Sequence, residues 1–373
     1  MKILVIHNTL WAHYKSVLFE EIQKQTHPPH EFHVLQIARS EISRKGMEET
    51  TIRYCYNYTL LFDDYIENVP ALKEILHVLR FIYRYRPDII NVTGYASSAS
   101  TLPAILFGRL LGKKVIMSNE STHKDKTRSV LKEAIKRLAV RMCSGFVVFG
   151  KSSESYLLDL GAPSHKILVH KAAVVDNTTL ESEFTAANAA DLYPEIKTGK
   201  NFIYAGRMAP EKNIGLLVEA FQQLNPKDWG LILVGRGPEE GRIREIIRKS
   251  PDRIYYYDAV SWTRLPGFFS RADCFVLPSN SEPWGLVINE AMVCGLTVIV
   301  SEACGCAPDL VDGNGYTVPP NDPEALKERM SALIASPEQE KMKARSLEII
   351  RNFSVKAVAV SYVQALKKRW ANL

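Results

Sequence analysis

Ten short apolar runs, most of them followed by a stretch with helical periodicity, divide this chain into two series of five. The first series reads KILVIH (2–7), EFHVLQI (31–37), DIINVT (88–93), KVIMSN (114–119) and GFVVFG (145–150). The second reads NFIYAG (201–206), GLILVG (230–235), RIYYYD (253–258), CFVLPS (274–279) and TVIVSE (297–302). Strand-length runs rich in valine and isoleucine, alternating with longer helical patterns, imply a parallel sheet wrapped by helices. The chain is therefore expected to be α/β, with two similar Rossmann-like units. Its 373 residues also exceed the size at which a single core stops growing.

Between the two series, residues 173–200 lose the rhythm and gain Thr, Asn and Ala, as a linker or loop does. The expected organisation is an N-terminal domain over 1–172, a C-terminal domain over 173–355, and a last helix over 356–373 packing back on the first domain. Hydrophobic residues at 46% and charged residues at 24% exclude a disordered chain, a collagen-like repeat and a secreted cysteine scaffold. A net charge of +6 suits a nucleotide, a nucleic acid or an anionic membrane face. The six cysteines lie in apolar stretches, as buried reduced thiols do, and Cys304 with Cys306 lacks the second ligand pair of a metal site. The opening run MKILVIHNTLW has neither the longer apolar region nor the cleavage site of a signal peptide. No segment reaches the roughly 18 consecutive apolar residues of a spanning helix, so the cytoplasm is the expected location.

Open parallel sheets bind ligands beyond the carboxyl ends of their strands. After NFIYAG comes RMAPEKN, with Arg207 at the strand end and Lys212 expected at the start of the next helix. A guanidinium fork and an ammonium beside helix amides make a site for a diphosphate. The stretch VGRGPEEGR (234–242) carries Gly235 and Gly237 after a strand, a tight turn that lets backbone approach a ligand or partner. It lacks the third glycine of a dinucleotide fingerprint, and no glycine follows the first strand at all, which argues against a classical NAD enzyme.

The stretch SEPWGLVINEAMVCG (281–295) holds two carboxylates, Glu282 and Glu290. Pro283 biases Glu282 out of helical geometry, so the helix is expected to begin near Gly285. Even in one continuous helix the two would stand about 80° apart and about 12 Å along the axis, too far to share a proton. The better reading sets one carboxylate at each end of an extended ligand, with the amides of Gly285, Leu286 and Val287 receiving negative charge between them. A nucleotide diphosphate sugar has this layout, Glu290 addressing the ribose and Glu282 the sugar hydroxyls. The apolar neighbours of Glu290 predict a buried and paired carboxylate.

Together, AGRMAPEKN, VGRGPE, ADCFVLPSNSEPWGLVINEAMVCGLTVIVSE and GCAPDLVDGNGYTVPPNDPEAL resemble the retaining nucleotide-sugar glycosyltransferases of family 4. The resemblance covers most of residues 200–335. It implies the GT-B architecture, two Rossmann-like domains facing a cleft, and a UDP- or GDP-sugar donor with no cofactor and no bound metal. It also implies that Arg207 and Lys212 neutralise the donor diphosphate, that Glu290 holds the ribose, and that Glu282 lies by the transferred sugar. Backbone around Ala259 and Val260 would lie against the nucleobase. Transfer would go to a hydroxyl of a glycan or lipid-linked acceptor by same-face attack, in surface polysaccharide or glycoconjugate synthesis.

The N-terminal half departs from the family pattern. Where many relatives carry a glycine-rich turn and a histidine, this sequence reads HNTLWAHY and SNESTHKD. Asn119, Glu120 and His123 each fit the sugar-side position; Glu120 is favoured as a catalytic group because it follows its strand directly. Gly94 and Tyr95 close another strand and are expected at the floor of the acceptor side. The segment 123–143 sets Val130, Leu131, Ala134, Ile135, Leu138 and Met142 on one face, with Lys132, Lys136, Arg137 and Arg141 elsewhere. Two readings stay open for it: an ordinary surface helix turned to its own core, or a basic amphipathic helix resting on an anionic membrane through residues 127–141. A nucleotide-sugar epimerase on the same architecture is the near alternative function. A basic nucleic-acid-binding protein is the distant one, and it would need aromatic residues interleaved with the basic ones, which the best basic segment lacks.

Overall fold

The computed structural model describes residues 1–42, 54–93, 98–123, 130–188, 192–248 and 253–370. The chain forms two compact α/β units. In the first, the strands are β1 (Lys2–Thr9), β2 (Glu31–Ser40), β3 (Tyr58–Tyr65), β4 (Ile89–Thr93), β5 (Lys114–Asn119), β6 (Gly145–Val148) and β7 (Ile167–Val169). They form one sheet in the order β3-β2-β1-β4-β5-β6-β7, parallel throughout. The helices between them are α1 (His13–Gln25), α2 (Ala71–Tyr85), α3 (Thr101–Leu110), α4 (Val130–Met142) and α5 (Lys151–Asp159). One core joins Leu4, Ile6, Ile90 and Val92 of the sheet to Val78 and Ile82 of α2, Ala104 and Ile105 of α3, and Ala139 and Val140 of α4. Those three helices therefore cover the same face.

The second unit runs from Val175 to Ser354, two residues that pair in a parallel bridge. It opens with α6 (Asn177–Asn188) and continues β8 (Lys200–Ala205), α7 (Ile214–Leu224), β9 (Trp229–Val234), α8 (Glu240–Arg248), β10 (Ile254–Tyr257) and α9 (Leu265–Phe269). Then come β11 (Cys274–Leu277), α10 (Leu286–Val293), β12 (Thr297–Ser301), α11 (Ala307–Leu310), β13 (Gly315–Val318), α12 (Pro323–Ala335) and α13 (Gln339–Ile350). The parallel sheet has the order β10-β9-β8-β11-β12-β13, so the strand order reverses between β8 and β11. That reversal is the topological switch where α/β sheets bind ligands.

The last helix, α14 (Val355–Trp370), belongs to the first unit and packs on α1 and β7. The buried Tyr362 hydroxyl accepts from Asn91 Nδ2 at 3.1 Å, and Arg369 donates to the His165 carbonyl at 2.9 Å.

Three sequence expectations need correction. The supposed linker contains α6, a helix with only Leu180 and Ala187 buried, so its apolar signal is two residues spaced one heptad apart. Asp176 starts it by accepting from the Thr179 amide at 3.2 Å and the Thr179 hydroxyl at 2.9 Å. Cys55 is exposed beside the start of β3, whereas the other five cysteines are buried. On α4 the residues turned to the core are Ala139 and Val140, with Met142 packed against it, while Ile135 and Leu138 face outward.

Candidate active site

The loop after β8 and the loop before α10 meet beyond the carboxyl ends of β8 and β11. Gly285, with φ of +97°, caps α10 in a left-handed conformation, so the helix begins at Leu286, where Pro283 and the glycine place it. No side chain caps this end, which leaves the first amides of the helix to whatever lies in front of them. In front lies a cavity of about 370 Å³. Arg207, Lys212, Glu282, Gly285, Leu286, Val287 and Glu290 all line it.

Each side chain is held there by the local fold. Lys212 ends a single 3-10 turn, Pro210–Lys212, rather than starting the helix, and Asn213 in a left-handed conformation then launches α7. The Lys212 ammonium pairs with the Glu282 carboxylate, and both side chains are largely buried, at 18% and 14% exposure. Glu282 is fixed from behind by the 303–306 loop: its carbonyl accepts from the Gly305 amide at 2.9 Å, and the Trp284 carbonyl accepts from Cys306 at 3.3 Å. Arg207 sits on the rim, 64% exposed and paired with Glu211. The Tyr204 hydroxyl donates to the Arg207 carbonyl at 2.9 Å and so anchors that residue's backbone.

Glu290 differs from the expectation of a paired carboxylate. It is recessed on α10 and turned into the cavity, with no hydrogen-bond or ion-pair partner among the described residues. Desolvation alone pushes its pKa from 4.5 up to about 7. The cavity side of the helix, not its packing side, receives it.

Gly235, Ala259 and Val260 do not line this cavity. The role of Gly235 is backbone approach to a neighbouring loop: a β-carbon on it would lie 1.9 Å from the Gly206 carbonyl oxygen, at a φ of +153°. The adjoining loop is knitted by Met208 N donating to the Arg236 carbonyl at 2.8 Å. Gly235 thus seats the segment that carries Arg207. Gly235→Ala is expected to cost about 2 kcal/mol or more of stability through backbone strain and overpacking; an unchanged urea midpoint would show that the loop yields freely. Sequence reasoning missed Tyr204, Leu265 and Leu277, which also line the cavity. Position at a strand's carboxyl end marks Tyr204 and Leu277, but nothing in the sequence marks Leu265.

In the first unit, the Glu120 carboxylate takes an ion pair at 2.8 Å from Lys15, a lysine only 4% exposed whose ammonium also lies 4.6 Å from the Phe149 ring centroid. Asn119 is buried and spends its amide on the Ser121 and Ser153 carbonyls, at 2.9 and 3.3 Å. His123 pairs with Asp159 at 2.7 Å. Gly94 and Tyr95 lie outside the described residues. Lys15 was not expected, because a lysine in a helical pattern ordinarily reads as a solvated charge. No group of three or more His, Cys, Asp or Glu side chains able to hold a metal ion occurs among the described residues.

Residues 193–347, which contain the whole cavity, match the model of the family described as glycosyl transferases group 1. An uncharacterized glycosyltransferase of Methanocaldococcus jannaschii is 26% identical over 288 residues, 74% of this chain and 76% of its own. The O-antigen chain mannosyltransferase B of Escherichia coli is 32% identical over 172 residues, 44% of this chain and 45% of its own. Among solved structures, Anabaena HepE in complex with UDP superposes with a TM-score of 0.75 at 17% identity, over 99% of this chain and 100% of its own. Sucrose-phosphate synthase from Thermosynechococcus elongatus does so with a TM-score of 0.74 at 17% identity, over the full length of both chains. The chain thus has the GT-B fold along its whole length, and its match to the model of the group 1 glycosyl transferases lies over the cavity.

Proposed function

We propose that this protein transfers a sugar, with retention of configuration, from a nucleotide diphosphate sugar to a hydroxyl of a glycan or lipid-linked acceptor, in surface polysaccharide or glycoconjugate synthesis on the cytoplasmic side of the membrane. One observation carries the reading: two cations, an uncapped helix end and an unpartnered carboxylate face a single cavity. The cations and the amides of Gly285, Leu286 and Val287 suit a diphosphate, and Glu290 suits the vicinal hydroxyls of a ribose. Anabaena HepE forms a complex with UDP, and the Escherichia coli relative is an O-antigen chain mannosyltransferase; both support this donor and acceptor class.

In the proposed step the acceptor oxygen bonds to the anomeric carbon from the face that the diphosphate leaves. The carbon–oxygen bond to the diphosphate breaks, and the acceptor proton passes to a departing phosphate oxygen. Lys212 and Arg207 neutralise the charge that grows there, which is electrostatic stabilisation without reorganisation. Two cations beside a helix end supply the charge a metal would otherwise bring, so the reaction is proposed to need neither a metal nor a cofactor. Glu282 would reach the sugar once the diphosphate takes over Lys212, and Ala259 and Val260 would border the base. Glu120, Asn119, His123, Gly94 and Tyr95 are proposed for the acceptor and sugar side.

A panel of UDP- and GDP-sugars tested for thermal stabilisation decides the donor class. A bound donor at a hundred to a thousand times its Kd stabilises by about 3–4 kcal/mol. A panel without a single stabilising member would sink the proposal. Product analysis then separates transfer, which releases free nucleotide only when acceptor is present, from epimerisation, which leaves an altered donor.

A further inference from the structure

A helix lying on a sheet normally turns its polar side outward. Three adjacent helices of the first unit turn large apolar side chains outward as well. On α2 the exposed Leu72, Leu76 and Tyr83 fall within a wedge of about 40° at 100° per residue. The next helix, α3, exposes Leu106 and Leu110, the latter at 84%, the highest value among the exposed large apolar side chains. On α4, Ile135 and Leu138 point away from the core that Ala139 and Val140 enter. Of thirteen exposed large apolar side chains among the described residues, eight lie on these helices or, as Leu111, directly after them. That concentration is not the scatter of single surface leucines an ordinary domain shows.

The charge on the same layer has one sign. The exposed ionic side chains are Lys73 and Arg80 with Arg84 on α2, Arg109 on α3, and Arg137 with Arg141 on α4. None of these arginines has an ion-pair partner among the described residues. The three helices hold just two carboxylates, and both are spent internally. Glu74 is buried, accepting from the Ser98 hydroxyl and, at 2.9 Å, from the Ser100 amide. Glu133 is engaged by Lys136 at 3.2 Å and by the Tyr156 hydroxyl at 2.9 Å.

We infer that the outward face of α2, α3 and α4 docks on an anionic lipid surface, the leucines entering the acyl boundary and the arginines meeting the headgroups. Arginine stems lie along apolar surface while their heads stay at the interface, so the two residue classes act together. A second copy of this chain fits poorly: a two-fold contact sets the same patch against itself, cations against cations, with no exposed carboxylate on these helices to neutralise them. No described helix is long and apolar enough to cross a membrane, so the attachment is peripheral and reversible. The surface is wider than the 127–141 segment of the membrane reading left open by the sequence, of which residues 127–129 lie outside the described residues. It rests on the proposed function only for its purpose, which is to bring a lipid-linked acceptor to the enzyme.

The test is flotation of the full chain with vesicles of phosphatidylcholine, with and without phosphatidylglycerol. The protein is expected to float with the anionic vesicles and to be released by salt. Arg109→Glu, Arg137→Glu and Arg141→Glu combined should weaken partitioning more than tenfold, since each basic residue near an anionic surface contributes roughly fivefold. Leu76→Glu with Leu110→Glu should abolish it. Three reversals elsewhere, Arg242→Glu, Lys341→Glu and Lys356→Glu, should leave it within about twofold, and melting curves confirm that each variant folds. Absence of flotation with anionic vesicles overturns the inference, as does equal loss in both charge-reversed sets. So does a dimer, seen by sedimentation, that Leu76→Glu and Leu110→Glu dissolve while vesicles leave the wild type unbound. Donor-induced stabilisation, measured on the same variants, should not change; a chain that floats yet is stabilised by no donor retains the docking and loses the transferase proposal.

Discussion

Lys212→Ala is expected to lower turnover at saturating donor by about a hundred- to a thousandfold, the cost of removing one preorganised group that stabilises transition-state charge. The structure complicates the simple version of this experiment, because Lys212 is also the counter-ion of Glu282. Removing one partner of a largely buried pair leaves the other charge unpaired, and that alone destabilises a fold. Two causes would then lower activity together. Glu282→Gln in the Lys212→Ala background separates them: it removes the orphaned charge and should restore the melting temperature, while turnover stays low. Arg207→Ala should be milder, because its exposed guanidinium on the rim is screened and its partner Glu211 remains in contact with water. If Lys212→Ala kept near-full transfer under donor saturation, the diphosphate would have to be neutralised elsewhere.

The pairing also bears on the order of events. With Glu282 already engaging the ammonium, the diphosphate of the proposed donor would have to compete for Lys212, and its success would free the carboxylate. The spacing of Glu282 and Glu290 excluded a shared proton between them, but it carried no information about this third partner seventy positions upstream. Only the parallel adjacency of β8 and β11 brings the two loops together.

The same contrast runs through the fold. All ten apolar runs became strands: nine lie between two neighbours, where a strand must be apolar along its length, and the edge strand β10 is marked instead by its three consecutive tyrosines. The missed strands are β3, β7 and β13, each with one neighbour only. The half-exposed β3 ends in two aspartates and a tyrosine, β7 has three residues, and β13 begins on Gly315. Edge strands carry weak patterns since one side faces solvent or loop. That Arg207, Lys212, Glu282 and Glu290 share one cavity was legible because a proline, a glycine and the strand ends dictate local geometry. The roles of Gly235, of Lys15 beside Glu120, and of the outward leucines on α2 and α3 were not, since each depends on what a distant segment places against it.

Glu290→Gln should behave in opposite ways in the empty and the donor-bound protein. In the empty protein the carboxyl pKa is raised by desolvation from 4.5 to about 7, so between those values the folded chain binds more protons than the unfolded one. Stability attributable to this group is therefore lost as pH rises from 4.5 towards 7, and the full penalty is present above it. At 1.36 kcal/mol per unit the ceiling is about 3 kcal/mol, reduced by the water that reaches the cavity. Glutamine carries no such penalty, so Glu290→Gln should melt higher than wild type at pH 8 and nearly level with it at pH 4.5. With donor the sign reverses. A ribose diol donates to a carboxylate more strongly than to an amide, by about 1–2 kcal/mol, so Glu290→Gln should weaken donor binding by about tenfold or more. In the wild type, binding that requires the ionised form must release a proton below pH 7, and affinity should fall about tenfold per unit as pH drops from 7 to 5. Calorimetry in buffers of different ionisation enthalpy reads that proton directly. Donor affinity independent of pH across this range, with no proton released, would place the ribose away from Glu290 and leave α10 as the holder of the phosphates alone.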